Sequence, residues 1–224
     1  MSGFIKWRYM LEHIEHKQFP SLHTAVYNGE IEKVKCILES LKTLKAQRQK
    51  LNEISLAVTP LDIAIAIQNE DIVHLLLQQS GICIDVLPGQ SLPPLFRAAA
   101  LPSTTIVQAL LQTDININVQ GENGFTALFT ACKFGEANNI RLLLNSDNIK
   151  TDYVDLEGST LLHIVCKGGH VNCLRILVQH GLFKHDVTDD DGFNPIERAC
   201  QHNQFNVVRY FIEDFELNSL QKYL

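Results

Sequence analysis

The sequence predicts an all-α protein, a solenoid of about six helix-turn-helix units with short turns or hairpin fingers between the units and helical caps. One segment carries this prediction, because GFTALFTACKFGEANNIRLLL, which starts at Gly124, returns in related form from Gly158 and again from Gly192. The same register extends toward the N-terminus, and the anchor residues of successive copies are Leu22, Leu61, Leu95, Leu128, Leu162 and Ile196. Apart from a longer first gap, the anchors recur about every 33 residues, a period typical of stacked supersecondary units.

The first helix of each unit is predicted from small apolar residues three and four places after the anchor. These spacings put them on one helical face with the anchor, and their small size lets neighbouring helices approach closely. They are Ala25, Ala64, Ala98, Ala131, Val165 and Ala199, followed by Val26, Ile65, Ala99, Cys132, Cys166 and Cys200. We expect the three cysteines of this set to be buried as compact hydrophobes.

A second, bulkier helix is predicted from large aliphatic residues twelve, fifteen and sixteen places after the anchor. In three of the units these are Val73, Leu76 and Leu77, then Val107, Leu110 and Leu111, then Ile140, Leu143 and Leu144. Gly29, Gly135 and Gly169 fall between the two helices, where a tight turn requires a positive φ. Each unit is therefore expected to be an antiparallel helix pair.

The predicted helix starts carry the usual N-terminal residues. Side chains that can cap a helix lie two places before the anchor: Thr59, Thr126, Thr160 and Asn194. Proline follows at the first helical position as Pro60, Pro94 and Pro195. Turn-forming strings such as GENG and DDDG come directly before these starts.

These motifs resemble the ankyrin repeat. The segments Thr59-Pro60-Leu61, Leu22-His23-Thr24-Ala25 and Ser159-Thr160-Leu161-Leu162-His163 with Gly169-His170 match the T-P-L-H and G-H motifs of that family. The resemblance covers about residues 19–215. It departs from the motif histidine at Asp62, Phe96, Phe129 and Glu197, and from the motif glycine at Gln68, Pro102 and Asn203.

The repeat register divides the chain. We predict an N-terminal capping helix over 1–18, six ankyrin-like repeats over about 19–56, 57–90, 91–123, 124–157, 158–191 and 192–215, and a C-terminal tail over 216–224. Phe4, Trp7, Leu11 and Ile14 give the first segment an amphipathic pattern, which suits either a cap or a helix presented to a partner or a membrane surface. The tail is either a capping helix or a frayed end.

The first repeat contains extra residues within 39–56. Their pattern predicts an extended second helix or a helical loop with Lys42, Lys45, Arg48 and Lys50 facing solvent. The alternative is a functional basic patch on an otherwise acidic protein.

Composition and charge limit the classes of function. A formal net charge of −6 argues mildly against nucleic acid as the main partner. The cysteines fit repeat positions better than a disulfide framework, which favours a reducing, cytoplasmic compartment. No signal-peptide core or stretch of membrane-spanning length is expected. We expect a monomer that needs no cofactor.

One cluster has the residue types of a metal site: His163, Cys166, His170 and Cys173. Structural zinc sites usually pair cysteines at shorter spacings, and the repeat already explains each residue, so we expect no metal there. Cysteines predicted to be buried are also poor nucleophiles. The sequence contains no phosphate-binding glycine loop, nucleophile elbow or H-E-x-x-H string, so we expect no catalytic residues.

A partner-binding surface is predicted on the concave face, which in such solenoids is formed by the turn tips and the first helices. Apolar and aromatic residues at positions that are usually polar are typical of an interaction patch. The candidates are Tyr27, Ile67, Leu101, Phe125, Phe134 and Phe193. The alternative is that some of these side chains pack against the next turn.

Acidic residues concentrate in the later turns, at Asp152, Asp155, Glu157, Asp189, Asp190 and Asp191. Aspartate often simply makes turns. If Asp155, Glu157 and Asp190 instead contact a partner, that partner would carry a basic segment.

Two further expectations follow from resemblance. The irregular repeats and the acidic, apolar tail look like ankyrin effectors that intracellular bacteria export into host cells, and on that alternative residues 213–224 would serve as an export signal and the protein would bind a host protein. Asn116 and Asn118 are similar to the hairpin asparagines that asparagine hydroxylases modify in ankyrin proteins.

Overall fold

The computed structural model describes residues 21–41, 43–55, 58–85, 92–121, 124–184 and 186–215. Within these ranges it contains 13 α-helices and no β-strand, with one isolated β-bridge between Ser55 and Val58. The all-α prediction is thereby confirmed. The predicted N-terminal helix over 1–18 and the tail over 216–224 lie outside the described residues.

The helices follow one another in pairs, as the sequence predicts. They are α1 (Ser21–Tyr27), α2 (Ile31–Ser40), α3 (Leu44–Leu51), α4 (Pro60–Ala66), α5 (Glu70–Leu77), α6 (Pro94–Ala99), α7 (Thr104–Leu111), α8 (Ala127–Phe134), α9 (Ala137–Leu144), α10 (Leu161–Gly168), α11 (Val171–Gln179), α12 (Pro195–Gln201) and α13 (Phe205–Arg209). A π-helical segment, Tyr210–Phe215, continues from α13. The extra residues of the first repeat form the separate helix α3, which Thr43 caps by accepting a hydrogen bond from the Ala46 amide. Lys45 and Arg48 on α3 face solvent.

The helix starts confirm the predicted caps at Thr59, Thr126 and Asn194. The side chains of Thr59, Thr126 and Asn194 accept hydrogen bonds from the first turn of α4, α8 and α12. Where the motif histidine is replaced by an acidic residue, the carboxylate still accepts a hydrogen bond from the N-cap amide. The Thr59 amide donates in this way to Asp62 at 2.8 Å, and the Asn194 amide donates to Glu197 at 2.8 Å.

Five of the six turns between paired helices have a residue with positive φ at the same place, whether or not it is glycine; the third repeat has Pro102 there. Gly29, Gly135 and Gly169 have φ of 69°, 76° and 75°, as predicted. Gln68 and Asn203 occupy the same place in other repeats and have φ of 55° and 56°. Because side chains disfavour the left-handed region, these two residues carry backbone strain that the surrounding packing maintains.

The described residues divide into two compact bodies. We call them the N-terminal body (the described residues of 21–98 and 103–116) and the C-terminal body (99–102 and the described residues of 117–215). In the N-terminal body α1 packs against α4, α2 against α5, and α5 against α7. In the C-terminal body α8 packs against α10 and α10 against α12, while the second helices α9, α11 and α13 pack in the same order.

Side chains at the start of the second helices link neighbouring helix pairs of the C-terminal body. Nε2 of His170 donates to the carbonyl of Lys133 at 3.2 Å. Nε2 of Gln204, at the matching position of the next repeat, donates to the carbonyl of Lys167 at 3.1 Å. The buried amide of Asn139 donates to the carbonyls of Ala99 and Leu101, at 3.4 and 2.7 Å.

The prediction for the cysteines of the first helices is confirmed for two of them and wrong for the third. Cys132 and Cys166 are fully buried, whereas Cys200 is exposed. Cys200 lies on α12, in the last helix pair of the described residues, and those residues contain no further first helix that would pack over this position.

Candidate partner-binding surface

The finger before α10 has a backbone fixed by its own hydrogen bonds. Oδ1 of Asp155 accepts from the amides of Glu157 at 2.9 Å and Ser159 at 2.8 Å, and the Asp155 amide donates to the Ser159 carbonyl at 3.1 Å. The same backbone pattern closes the fingers at Gly121 and Phe125 and at Asp189 and Phe193. Asp155 is 9% exposed, so its carboxylate shapes the turn.

This finger presents apolar and acidic side chains to solvent. Leu156 is 72% exposed and Val154 is 45% exposed, and the Glu157 side chain is also exposed. The amide of Asp190, on the following finger, donates to the Glu157 carbonyl at 3.0 Å. Neighbouring fingers are therefore joined directly, and the exposed side chains of Glu157 and Asp190 lie on adjacent turns.

Phe125 lies between an aromatic ring and a cation. Its ring stacks on Phe129 with centroids 5.7 Å apart, and Nζ of Lys133 lies 4.7 Å from its centroid on the surface. Partial burial lowers the pKa of Lys133, and the like charge of Lys167 lowers it further. Of the predicted aromatic contacts, Phe125 is thus half-buried, and Lys133 covers part of its ring.

Phe193 has a similar setting, built from different residues. The guanidinium of Arg198 lies 4.8 Å from its ring centroid, with Nε 2.5 Å from Asp189 and Nη2 2.5 Å from Asp191. Burial alone would raise the pKa of Asp189, but the hydrogen bonds from Arg198 and from the Phe193 amide outweigh it and leave that pKa lowered. Two of the three finger aspartates are therefore paired within the chain.

The remaining predicted contacts differ in how far they reach the surface. Tyr27 and Ile67 are half-buried at the ends of α1 and α4 in the N-terminal body, and Phe134 is half-buried at the end of α8. Leu101 is only 4% exposed, because its segment is held against α9 by the amide of Asn139. Its side chain is therefore not presented to a partner, which corrects the expectation for this residue.

Sequence reasoning missed Leu156. The matching position of the next finger, one repeat later, is Asp190. An apolar residue at a turn position where the next repeat has an acid was therefore the signal in the sequence that could have identified Leu156.

Asn118 uses its side chain to hold the following loop. Its amide nitrogen donates to the Asn148 carbonyl at 2.8 Å, and its Oδ1 accepts from the Lys150 amide at 2.9 Å.

The His163 cluster is organised by the repeat contacts. Nδ1 of His163 accepts from the Thr160 amide at 3.1 Å, and Nε2 donates to the Phe193 carbonyl at 2.9 Å. Burial raises the pKa of the Cys166 thiol to about 12 and that of Cys173 to about 11, so both stay protonated at neutral pH. Across the described ranges, His, Cys, Asp and Glu residues form no group of three that could hold a metal ion.

Comparison with known proteins decides the family. A family model described as ankyrin repeats (3 copies) matches residues 84–155 and 147–221, and the model of a single ankyrin repeat matches residues 58–87. The chain belongs to the ankyrin-repeat family. Its fold is similar to the crystal structure of EF0377, an ankyrin repeat protein, with a TM-score of 0.72 at 23% identity. That match covers 86% of this chain and 96% of that chain, and at this identity it shows the fold alone.

Membership of the ankyrin-repeat family indicates the general class of function for this surface. Ankyrin repeats generally mediate protein–protein interaction, and the family is typically a non-enzymatic binding scaffold. Each helix within the described ranges of this ankyrin-repeat chain is too short or too polar to pass through a membrane.

Proposed function

We propose that the chain is a non-catalytic protein-interaction module that holds a partner protein on the fingers and first helices of the C-terminal body. The observation that carries the proposal is Leu156, a largely exposed leucine on a finger whose backbone is fixed by hydrogen bonds. An apolar side chain on a backbone that is already fixed adds little backbone-ordering entropy to the cost of binding. Rigid presentation is therefore the proposed mechanism.

The aromatic residues of the same body supply the wider contact. Phe125, Phe134 and Phe193 are each half-buried, so their rings are ordered by the fold and still reach the surface. The charged groups of Lys133 and Arg198 lie over the rings of Phe125 and Phe193, respectively, and add polar groups to the same surface. Ordered aromatic and arginine side chains are the types that dominate the energy of many interfaces.

The charges of the fingers favour a partner with a basic segment. Asp189 and Asp191 are paired with Arg198, whereas the exposed carboxylate of Glu157 is 3.9 Å from Lys167 and the exposed Asp190 extends from the next finger. An exposed ion pair at that distance contributes little, so a cation of a partner can replace it. We include Glu157 and Asp190 as partner contacts, and we assign Asp155 the role of shaping the finger.

Tyr27 and Ile67 remain proposed contacts of the N-terminal body, where they occupy the equivalent register. Leu101 is left out because it is buried.

The experiment compares two exposed leucines. Leu156→Asp places a charge on the proposed surface, and Leu44→Asp is the matched control, since Leu44 is 69% exposed on α3 of the N-terminal body. We expect partner proteins captured by the wild-type chain from lysate to be lost with Leu156→Asp and retained with Leu44→Asp. Glu157→Lys combined with Asp190→Lys tests the basic segment. Unchanged capture by folded Leu156→Asp protein would reject this surface.

The effector alternative depends mainly on residues 213–224, and residues 216–224 lie outside the described ranges. A translocation assay after deletion of 213–224 separates it from a resident interaction module.

A further inference from the structure

The outer face of the C-terminal body carries one arginine on each of its second helices. Arg141, Arg175 and Arg209 lie at the same place on α9, α11 and α13, one repeat apart, and all three are exposed. Since α9 packs against α11 and α11 against α13, their axes are about 8–10 Å apart, the usual distance for packed helices. We call these three residues the arginine row.

An asparagine precedes each arginine of the row by three positions. Asn138, Asn172 and Asn206 are exposed, and side chains at this spacing are neighbours on a helix. Two helices of the N-terminal body have a carboxylate at the matching place. There Glu32 on α2 pairs with Lys35 at 2.7 Å, and Asp71 on α5 precedes His74, whereas α7 has Thr105 before Gln108. A neutral amide thus stands on all three second helices of the C-terminal body where α2 and α5 have an acid.

The positions one turn after the arginines are Asn145, Gln179 and Glu213, so this set of positions contains three arginines and a single acid. Oε2 of Glu213 lies 4.0 Å from Nε of Arg209, and both side chains are more than half exposed. Such a pair contributes little, and a competing carboxylate can replace it. These positions on the three helices therefore carry a net positive charge although the whole chain is acidic.

A hollow of about 440 Å³ lies within this surface. It is lined by Val171, Arg175, Asn206, Arg209, Tyr210 and Glu213. The guanidinium of Arg175 lies over the Tyr210 ring, 5.0 Å from its centroid. Phe205, the residue before Asn206, is 75% exposed. Two arginines thus line the hollow, and the residue that precedes Asn206 in the sequence is an exposed phenylalanine.

We propose that the arginine row binds an acidic segment of another protein, whose carboxylates are about 10 Å apart to match the spacing of the packed helices. Acids at i and i+7 on a helix have this spacing, because each residue rises about 1.5 Å. Charge complementarity identifies the occupant, since three arginines preceded by neutral amides match three spaced acids. Nucleic acid, with its much denser phosphates, is disfavoured by the net charge of −6. This surface shares no residue with the fingers and goes beyond the proposed function.

The test uses a fluorescent helical peptide of about 20 residues with glutamates at positions i, i+7 and i+14. A second peptide with glutamine at the three positions is the probe control. Asn138→Glu, Asn172→Glu and Asn206→Glu, combined in one variant, restore the acid of the N-terminal body while keeping every arginine. We expect wild-type protein to bind the glutamate peptide at low salt and this variant to bind it at least about tenfold more weakly, as three lost exposed pairs would give.

The matched variant carries glutamine at the same three asparagines. It should bind within about twofold of wild type, because a neutral amide leaves the charge of the row unchanged. Leu156→Asp should likewise bind the peptide as wild type does, so failure of the finger surface is distinguishable from failure of this one. Circular dichroism checks that each variant is folded.

Three kinds of outcome would overturn the proposal. One is the absence of binding that depends on the glutamates, seen either as equal binding of the glutamate and glutamine peptides or as binding too weak to detect at low salt. Another is unchanged binding by the folded triple-glutamate variant. The third is binding to phosphatidylserine vesicles or duplex DNA, lost in the triple-glutamate variant, without binding to the acidic peptide, because that pattern assigns the row to a different class of partner.

Discussion

Asp62 and Arg97 form an ion pair inside the N-terminal body. Nε of Arg97 lies 3.1 Å from Oδ1 of Asp62, and both side chains are fully buried. Oδ2 of the same carboxylate accepts from the amide and the hydroxyl of Thr59, at 2.8 and 3.0 Å. One carboxylate therefore completes the capping box of α4 and holds a guanidinium from α6. Burial lowers the pKa of Arg97, and the charge of Asp62 opposes that change.

Removing Asp62 and removing Arg97 should lower the free energy of unfolding by different amounts. Asp62→Ala leaves a buried guanidinium without its carboxylate and removes the carboxylate half of the capping box of α4, so we expect the free energy of unfolding to fall by about 3–5 kcal/mol. Arg97→Met should cost less, because Thr59 still donates to Asp62. Asp62→Asn combined with Arg97→Met should be more stable than Asp62→Ala alone. Urea unfolding measures all three, and a double variant no more stable than Asp62→Ala would contradict coupling of the pair.

Glycine should stabilise the turn at Gln68. Its φ of 55° is strained for a side chain, so Gln68→Gly is expected to raise the free energy of unfolding by about 0.5–1 kcal/mol. Gly135→Ala is the reverse control, because φ there is 76° and an added Cβ would lie 2.6 Å from Nδ1 of His170. Thermal melts of both variants check the signs. A destabilised Gln68→Gly protein would show that the side chain itself holds the turn.

Stability should fall in mild acid partly through His163. Burial lowers its pKa, although the bond to the Phe193 carbonyl and the charge of Asp189 act the other way. The unfolded state, with a pKa near 6.5, therefore takes up the proton first, so stability is lost as pH falls below about 6.5. Protonation of Nδ1 also removes the acceptor for the Thr160 amide.

His163→Gln isolates this effect. Glutamine can accept the same capping hydrogen bond without titrating. Between about pH 7.5 and pH 5.5 the variant should lose less stability than wild type, while His23, whose pKa burial also lowers, contributes equally to both. Parallel pH profiles of the two proteins would mean that His163 does not titrate in this window.

Thiol labelling should separate the cysteines by burial. Cys36 and Cys200 are exposed and should react with N-ethylmaleimide within minutes in the folded protein. Cys132, Cys166 and Cys173 are buried and protonated, so they should react only after urea unfolds the chain. Mass spectrometry of peptides identifies the labelled residues. Equal rates at Cys166 and Cys200 in native protein would contradict the described packing.

The parts of the fold that sequence predicted are those set by nearby residues. Thr59 and Pro60 start a helix through contacts within one turn, and Gly135 ends one through its own φ. The burial of Leu101 depends instead on Asn139, which lies on another helix and stands where four of the other five repeats have an apolar residue. Nothing near Leu101 in the chain indicates that contact.

The candidate surface was predicted in part. Register alone located Phe125 and Phe193 near the fingers, but not the cations that cover them, because Lys133 and Arg198 reach these rings from different places on their helices. The Asp62–Arg97 pair was missed for a related reason. Asp62 was visible in the sequence as a departure from the motif histidine, yet its partner lies on the helix of the next repeat.

The hydrogen bonds that Gln204 and Asp190 make to the carbonyls of Lys167 and Glu157 join the last two helix pairs at a turn and at a finger. A mechanical pull on α12 and α13 would load these two bonds together with the packing of α12 on α10. The last pair should therefore detach as one block under tension, leaving the preceding pair held by its own bond from His170. Under tension the C-terminal body would therefore extend in steps of about one repeat, beginning with its last helix pair.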